Sequence, residues 1–263
     1  METALVTGAS SGIGEELARL AAADGCDLIL VSRRQEKLES LARDLSVAHG
    51  VSARVIAADL NDTEAPGRIA EEIEKEKVSV DVLVNNAGLG VYGAFFETEL
   101  PKQMEVIRVN VAALTDLTGR ILPGMVARRR GRILNVASTA AFQPGPYMSV
   151  YYATKAYVLS FSEALAEELR ETGVTVTALC PGPTPTEFQQ RAGVEGEALL
   201  PAPFVMDAES VAKAGWEAAK LGKRLVVPGA ANKILKEAVR LSPRRLVTKA
   251  AGRLQRRRGG KKA

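Results

Sequence analysis

Short apolar runs alternate along the chain with longer stretches whose apolar residues recur every three or four positions. The runs ALVTG, DLILVS, ARVIAAD, VDVLVNNAG, RILNVAS, VTVTALCPG and RLVVP are apolar at successive positions and rich in Val, Ile and Leu. That pattern predicts strands buried on both faces. Between them the spacing is helical. Leu17, Leu20 and Ala21 fall on one face of a helix from about 12 to 23, Leu38, Leu41 and Leu45 on the next, and Ile69 and Ile73 on a third. Longer helices are expected over about 101–127 and 150–171, and a shorter one near 208–220. Seven buried strands separated by helices, with right-handed crossovers, predict an α/β, doubly wound, seven-stranded parallel sheet with helices on both faces, in a single domain over 1–241. No internal repeat is seen beyond this alternation.

The punctuation adds two features. Pro181, Pro183, Pro185, Pro201 and Pro203 crowd one stretch too long for an ordinary connection, so a lid is expected at about 183–206. At the other end, Ser242 and Pro243 read as an N-cap and first helical residue. Leu246, Val247, Ala250, Ala251 and Leu254 then form an apolar stripe flanked by Arg245, Lys249, Arg253 and Arg256. The segment 242–263 is therefore expected to be a basic amphipathic helix and tail. It would lie on an anionic membrane surface, on its own domain or on a second subunit.

Composition changes the picture little. Of 263 residues, 46% are hydrophobic and 25% charged, as in ordinary globular proteins. The formal charge of +4 is uneven, because ten bases and no acid follow Glu237, leaving −6 on the first 237 residues. An acidic body and a tail without interleaved aromatics argue against nucleic acid. Cys26 and Cys180 each adjoin a strand and read as reduced packing residues, and the lone His49 sits at a helix end, so no metal site is expected. No apolar run approaches the roughly 20 residues of a membrane span, and the N-terminus has no signal-peptide pattern; a cytoplasmic location, with peripheral membrane contact as an option, is the expectation.

Candidate chemistry begins at TGASSGIGEE. Gly8, Gly12 and Gly14 lie between the first strand and first helix. There glycines let backbone approach a pyrophosphate, while the helix N-terminus offers free N–H groups and a positive dipole end. Ser10, Ser11 and Ile13 complete the turn. The second strand ends in Ser32, Arg33 and Arg34, where a dinucleotide fold that binds NAD(H) usually has a carboxylate. A guanidinium there suits a 2′-phosphate, so NADP(H) is favoured. Tyr151 and Lys155 share a helix face four residues apart, and an ammonium near a phenol lowers its pKa. Tyr152 is three residues from the same lysine, and spacing alone does not choose between the tyrosines.

With the glycine turn, NNAG at 85–88, Ser138 after the fifth strand, YYATK and CPGPTPT in this order, residues 3 to about 228 resemble the short-chain dehydrogenases/reductases, in particular bacterial NADP-dependent reductases of varied substrate specificity. The resemblance implies a Rossmann-like fold and a catalytic tetrad. Asn110 would hold a water in a proton relay, Ser138 would bind the substrate oxygen, Tyr151 would be the acid/base, and Lys155 would lower its pKa and bind the nicotinamide ribose. Asp59 and Leu60 would flank the adenine, and Asn86, Ala87 and Gly88 would line the cofactor. Pro181, Gly182, Thr184 and Thr186 would lie along the nicotinamide, with Thr186 on its carboxamide side. The family implies a homodimer or homotetramer through its long helices.

The expected reaction is NADPH-dependent reduction of a hydrophobic ketone or aldehyde, reversible with the secondary alcohol. Val91, Tyr92, Phe95, Phe96, Phe142, Pro144, Pro146 and Tyr147 are expected to border an apolar substrate pocket. The alternative is a sensor or scaffold that binds NADP(H) without turnover.

Overall fold

The computed structural model describes residues 1–193 and 202–258. Strands β1 (Thr3–Thr7), β2 (Asp27–Ser32) and β3 (Ala53–Ala57) alternate with helices α1 (Gly12–Ala23), α2 (Gln35–His49) and α3 (Ala65–Lys75). After β4 (Val82–Asn85) come α4 (Leu100–Ile107), a π-helical segment Arg108–Ala113 and α5 (Leu114–Ala127), which run on as one helical stretch. Strand β5 (Gly131–Val136), a 3₁₀ turn Thr139–Phe142, α6 (Ser149–Glu168) and β6 (Val174–Leu179) follow. Then come α7 (Glu187–Arg191), a 3₁₀ turn Ala202–Phe204, α8 (Ala208–Lys220), β7 (Leu225–Val226), α9 (Ala230–Leu241) and α10 (Arg244–Arg258).

All seven strands pair in parallel, in the order β3-β2-β1-β4-β5-β6-β7. Alternate side chains of each strand feed opposite layers. Ala4 and Val6 of β1 join a core with Leu17 of α1, Leu38 of α2 and Trp216 of α8, while Leu5 joins one with Ile69 of α3, Leu117 of α5 and Leu165 of α6. Both faces of the sheet are covered, as the doubly wound reading requires.

Two expectations change, and one of three alternatives is selected. A helix, α9, occupies 230–241, entered through Gly229 at φ 83°. Ser242 does not cap α10. Its hydroxyl donates backwards to the Ala238 carbonyl at 2.7 Å and finishes α9 instead. The stripe of α10 lies on its own domain, the second of the three placements expected for it. Of the expected lid, 183–193 and 202–206 are described, while 194–201, including Pro201, and the tail beyond 258 lie outside the described residues.

Candidate active site

Sheet order reverses between β1 and β4, and at the carboxyl ends of these strands a cleft of about 1300 Å³ opens, where open α/β sheets hold their ligands. Gly8 and Gly12 in its floor take φ of 67° and 59°, left-handed values that glycine adopts freely. A Cβ on Gly8 would fall 2.8 Å from Asn86 Nδ2, and one on Gly12 2.9 Å from the Thr186 methyl. Side chains are excluded from both sides of the turn. Ser11 makes no side-chain cap to α1, so the first N–H groups of that helix keep their affinity for an anion. Gly14 does not line the cleft. Its Cβ would sit 2.4 Å from the Gly8 carbonyl oxygen, so it is glycine to let α1 pack against the turn.

Asn86 fastens this turn to β4. Its amide donates to the Thr7 carbonyl at 2.9 Å, and the Thr7 hydroxyl accepts from the backbone N–H groups of Asn86 and Ala87. Beyond β2, Arg34 reaches back across the turn. Nε and Nη2 donate to the Ser10 hydroxyl, Nη2 also to the Ser11 hydroxyl at 2.8 Å, and Nη1 to the Glu187 carboxylate at 2.8 Å. Arg33 is exposed at the rim; Ser32 accepts from the Arg34 backbone N–H. Asp59 and Leu60 line the cleft after β3, Asp59 exposed and Leu60 buried. Partial burial raises the Glu187 carboxyl, but Lys37, Arg34 and Arg191 outweigh it and hold the group below the usual carboxylate range.

At the other end stand Ser138, Tyr151 and Lys155. Ser138 caps the 3₁₀ turn, its Oγ accepting from the Ala140 N–H at 3.1 Å, and also hydrogen-bonds the Tyr151 phenol. This contact separates the two tyrosines, because the Tyr152 hydroxyl is turned towards α10, accepting from Gln255 Nε2 at 2.8 Å. Lys155 is buried. Its ammonium donates to the Val136 carbonyl at 2.7 Å and lies 5.9 Å from the Tyr151 ring centroid.

The electrostatics differ from the expectation that Lys155 acidifies the phenol. Burial is the largest influence on Tyr151 and pushes its pKa above the ordinary phenol value, against the Ser138 hydrogen bond. Burial likewise brings Lys155 down to about 8. Burial therefore keeps the phenol protonated and makes it a weaker acid than a free one, so any acidification has to come from charge brought into the cleft.

Asn110 does not line the cleft. It is buried in the π-helical segment, with Oδ1 accepting from the Leu89 N–H at 2.8 Å and Nδ2 donating to the Leu89 carbonyl and the Thr154 hydroxyl. It holds the chain after NNAG against the start of α6. Between Asn110 and Lys155 sits Gly88, whose Cβ would lie 3.6 Å from Asn110 Oδ1 and 3.5 Å from Lys155 Nζ.

The far wall runs from Pro181 and Gly182 to α7. The Thr184 hydroxyl donates to the Gly182 carbonyl at 3.2 Å. Thr186 and Gln189 form a capping box on α7, setting Thr186 against Gly12 and placing the Phe188 ring 5.2 Å from that of Tyr151. The remaining wall comes from α9 and α10. Leu235, Val239, Leu246, Val247 and Leu254 face the cleft beside Phe142 and Met148. Tyr92 donates to the Gln255 carbonyl at 2.7 Å, and Arg256 donates to the Tyr147 hydroxyl at 2.8 Å, so both tyrosines hold α10 in place. Of the aromatic residues expected around the substrate, Phe142 lines the cleft, whereas Phe95 and Phe96 are exposed to solvent. Val91, Pro144 and Pro146 do not line it either. Closeness in sequence to NNAG or to Tyr151 does not carry a side chain into the cavity.

A polar chain beneath the site joins Asn85, the first residue of NNAG, to Asn135 and Ser162, which belong to no motif. Asn85 Nδ2 donates to Asn135 Oδ1 at 2.9 Å and Asn135 Nδ2 to the Ser162 hydroxyl at 2.9 Å, a buried polar chain tying β4 and β5 to α6 beneath the reactive end. Asn85 and Asn135 are direct partners in the β4–β5 register. The residues present fit a nicotinamide dinucleotide: a phosphate cradle from which Cβ atoms are excluded, arginines at the ribose end, and a buried ammonium with no ion pair among the described residues. No metal-binding cluster and no helix long and apolar enough to cross a membrane occur among the described residues.

Comparison with known proteins agrees with this geometry. The family model for short chain dehydrogenase matches residues 2–195. A very-long-chain 3-oxoacyl-CoA reductase of Phaeosphaeria nodorum is 39% identical over 177 residues, 66% of this chain and 52% of that protein. The chain spans about half to three-fifths of the length of such curated relatives. A short-chain dehydrogenase from Sphingobium yanoikuyae in complex with NADPH has a TM-score of 0.82 at 33% identity, covering 91% of this chain and 94% of that one. The bulky-bulky ketone specific alcohol dehydrogenase of Comamonas testosteroni reaches 0.77 at 30% identity, covering 91% and 92%. The family match over most of the chain and the agreement of the whole fold lead to one conclusion: the chain belongs to the short-chain dehydrogenase/reductase family.

Proposed function

We propose that this protein is an NADPH-dependent oxidoreductase that reduces a bulky hydrophobic ketone or aldehyde, reversibly with the secondary alcohol, with Tyr151 as acid/base. The observation that carries this reading is the meeting of a neutral, enclosed Tyr151 with Ser138 and Lys155 in the same cleft as the glycine turn. Gly8, Ser10, Ser11, Gly12 and Ile13 hold the pyrophosphate, and Arg33 and Arg34 with Ser32 hold the 2′-phosphate. Asp59 and Leu60 border the adenine, Asn86, Ala87 and Gly88 the cofactor's inner side, and Pro181, Gly182, Thr184 and Thr186 the nicotinamide end.

When bound, NADPH supplies the hydride for the carbonyl carbon. Ser138 donates a hydrogen bond to the carbonyl oxygen and orients it. Tyr151 transfers its phenolic proton to that oxygen as negative charge builds there, forming the alcohol O–H bond. The phenolate left behind is stabilised by Ser138 and by the ammonium of Lys155, which gains a charge partner only at that point. Asn110 keeps the segment after NNAG in register with α6 and sits where a proton relay from Lys155 would pass.

The apolar wall from Phe142, Phe188, α9 and α10 suits a large carbonyl substrate, in keeping with the names of the Phaeosphaeria and Comamonas proteins. Association into a homodimer or homotetramer is assigned to α4 and α6, where Leu100, Met104, Ile107 and Tyr157 are exposed. The test is loss of NADPH absorbance with a panel of bulky ketones, steroid ketones and 3-oxoacyl thioesters. Turnover is expected with at least one class, and Tyr151→Phe should lower kcat by roughly 10²- to 10⁴-fold while still binding NADPH. A Tyr151→Phe enzyme near the wild-type rate would refute the assignment.

A further inference from the structure

The Arg34 guanidinium is shared. Its Nε and Nη2 are committed to the hydroxyls of Ser10 and Ser11 and to the Ser10 carbonyl, and its Nη1 to both oxygens of Glu187. Ser10 and Ser11 belong to the glycine turn, whereas Glu187 lies 153 positions further on, in the first turn of α7. The carboxylate is therefore the only anion on Arg34 among the described residues, and it reaches the guanidinium from across the cleft. Glu187 has two other cationic partners, Lys37 at 3.2 Å and Arg191 on its own helix.

From this arrangement, and resting on the reading above that Arg34 receives the 2′-phosphate, we infer that Glu187 competes with that phosphate for Arg34 and so sets how strongly the protein prefers NADP(H) to NAD(H). A carboxylate and a phosphate both seek the paired N–H donors of a guanidinium, and the phosphate carries more charge. When the phosphate takes Nη1, Glu187 stays paired with Lys37 and Arg191, so no carboxylate is left without a partner and the exchange is inexpensive. NAD(H) carries a neutral hydroxyl where NADP(H) has the 2′-phosphate, so it offers no second anion to displace Glu187, and the Arg34–Glu187 pair persists when it binds. The competition thus weakens one cofactor and spares the other.

The test is equilibrium binding, by calorimetry or by cofactor fluorescence, of NADPH and NADH to the wild type, Glu187→Gln, Arg34→Ala and the double variant. Glu187→Gln should bind NADPH roughly two- to fivefold more tightly, the range a part-exposed ion pair commands, and NADH with unchanged affinity. In the Arg34→Ala background the Glu187 substitution should no longer alter NADPH affinity. Equal effects on both cofactors would mean that Glu187 only closes α7 over the cleft, and weaker NADPH binding would mean that it positions Arg34; either result overturns the proposal. A wild type that binds NADH as tightly as NADPH would instead remove the 2′-phosphate reading itself, an outcome separable from a null effect of Glu187→Gln in a protein that does prefer NADPH.

Discussion

Lys155 is a buried ammonium whose hydrogen-bond partner is the Val136 carbonyl, and that has a thermodynamic signature. Burial lowers its pKa from 10.5 to about 8, so in the fold the charged form is carried at a cost below about pH 8. As pH rises from 8 towards 10.5 the unfolded chain keeps the proton that the folded chain has lost, and stability increases with pH. The thiols of Cys26 and Cys180, pushed by burial to about 11 and 12, act with the opposite sign. Their loss of stability sets in over the same interval, as the unfolded thiols ionise around 9, but wild type and Lys155→Met share both thiols, so the difference between the two proteins reports on the lysine. Without cofactor, Lys155→Met should therefore be more stable than the wild type at pH 7, relative to its own behaviour at pH 9. Thermal melts across that range check this, and parallel Tm curves would refute it. A tyrosine one turn before Lys155 is legible in the sequence, but the spacing leaves Tyr151 and Tyr152 open and only the resemblance to the family chooses Tyr151. That burial would raise the phenol's pKa against the Ser138 hydrogen bond is not legible there, because burial depends on walls supplied by α7 and α10.

At the scale of elements, the strands were readable because each is apolar on both faces, and α1, α2 and α3 because their apolar stripes are narrow. The buried chain Asn85–Asn135–Ser162 was not. Each asparagine looks like an ordinary strand-end polar residue, and its partner lies 50 positions away, fixed only by the β4–β5 register. The π-helical turn at Asn110 was also hidden, since the apolar spacing of 101–127 continues through it without a Gly or Pro. Helix α9 is hidden for another reason: its fully buried residue is the polar Asn232, while apolar Ile234 and Leu241 are exposed, so its pattern does not read as a core-facing stripe. The exposed face of α4 and α6 makes its own prediction. Tyr157 stacks on Phe161 at 5.8 Å and meets the Thr115 hydroxyl at 2.9 Å, beside exposed Ile107 and Met104 in the adjoining stretch. Met104→Glu combined with Tyr157→Glu should shift the protein from oligomer to monomer by analytical ultracentrifugation, with the fold retained by circular dichroism. An unchanged sedimentation coefficient would exclude this face.

For the molecule as a whole, the expected final helix forms, and what it packs against is the part that spacing left open. Its apolar stripe was plain in the sequence, but a stripe does not name what it faces. Leu246, Val247, Ala250, Ala251 and Leu254 line the cleft, and the hydrogen bonds of Tyr92 and Gln255 hold the helix there. Leu246, 63% exposed, is a position where a charge can be placed without disturbing the core. Leu246→Asp should raise KM for a bulky ketone roughly tenfold, as expected from replacing an apolar contact by a solvated charge, with NADPH affinity unchanged. A KM that does not move would place the substrate elsewhere in the cavity.

The division of labour between α10 and the sheet has a practical outcome. On the function proposed above, proton delivery and dinucleotide grip belong to residues before α8, whereas much of the apolar enclosure comes from a helix attached by a few hydrogen bonds at its far end. Grafting a different terminal helix onto this scaffold is thus a route to new substrate scope, provided the replacement keeps the Gln255 contact to Tyr152 and the enclosure beside the phenol.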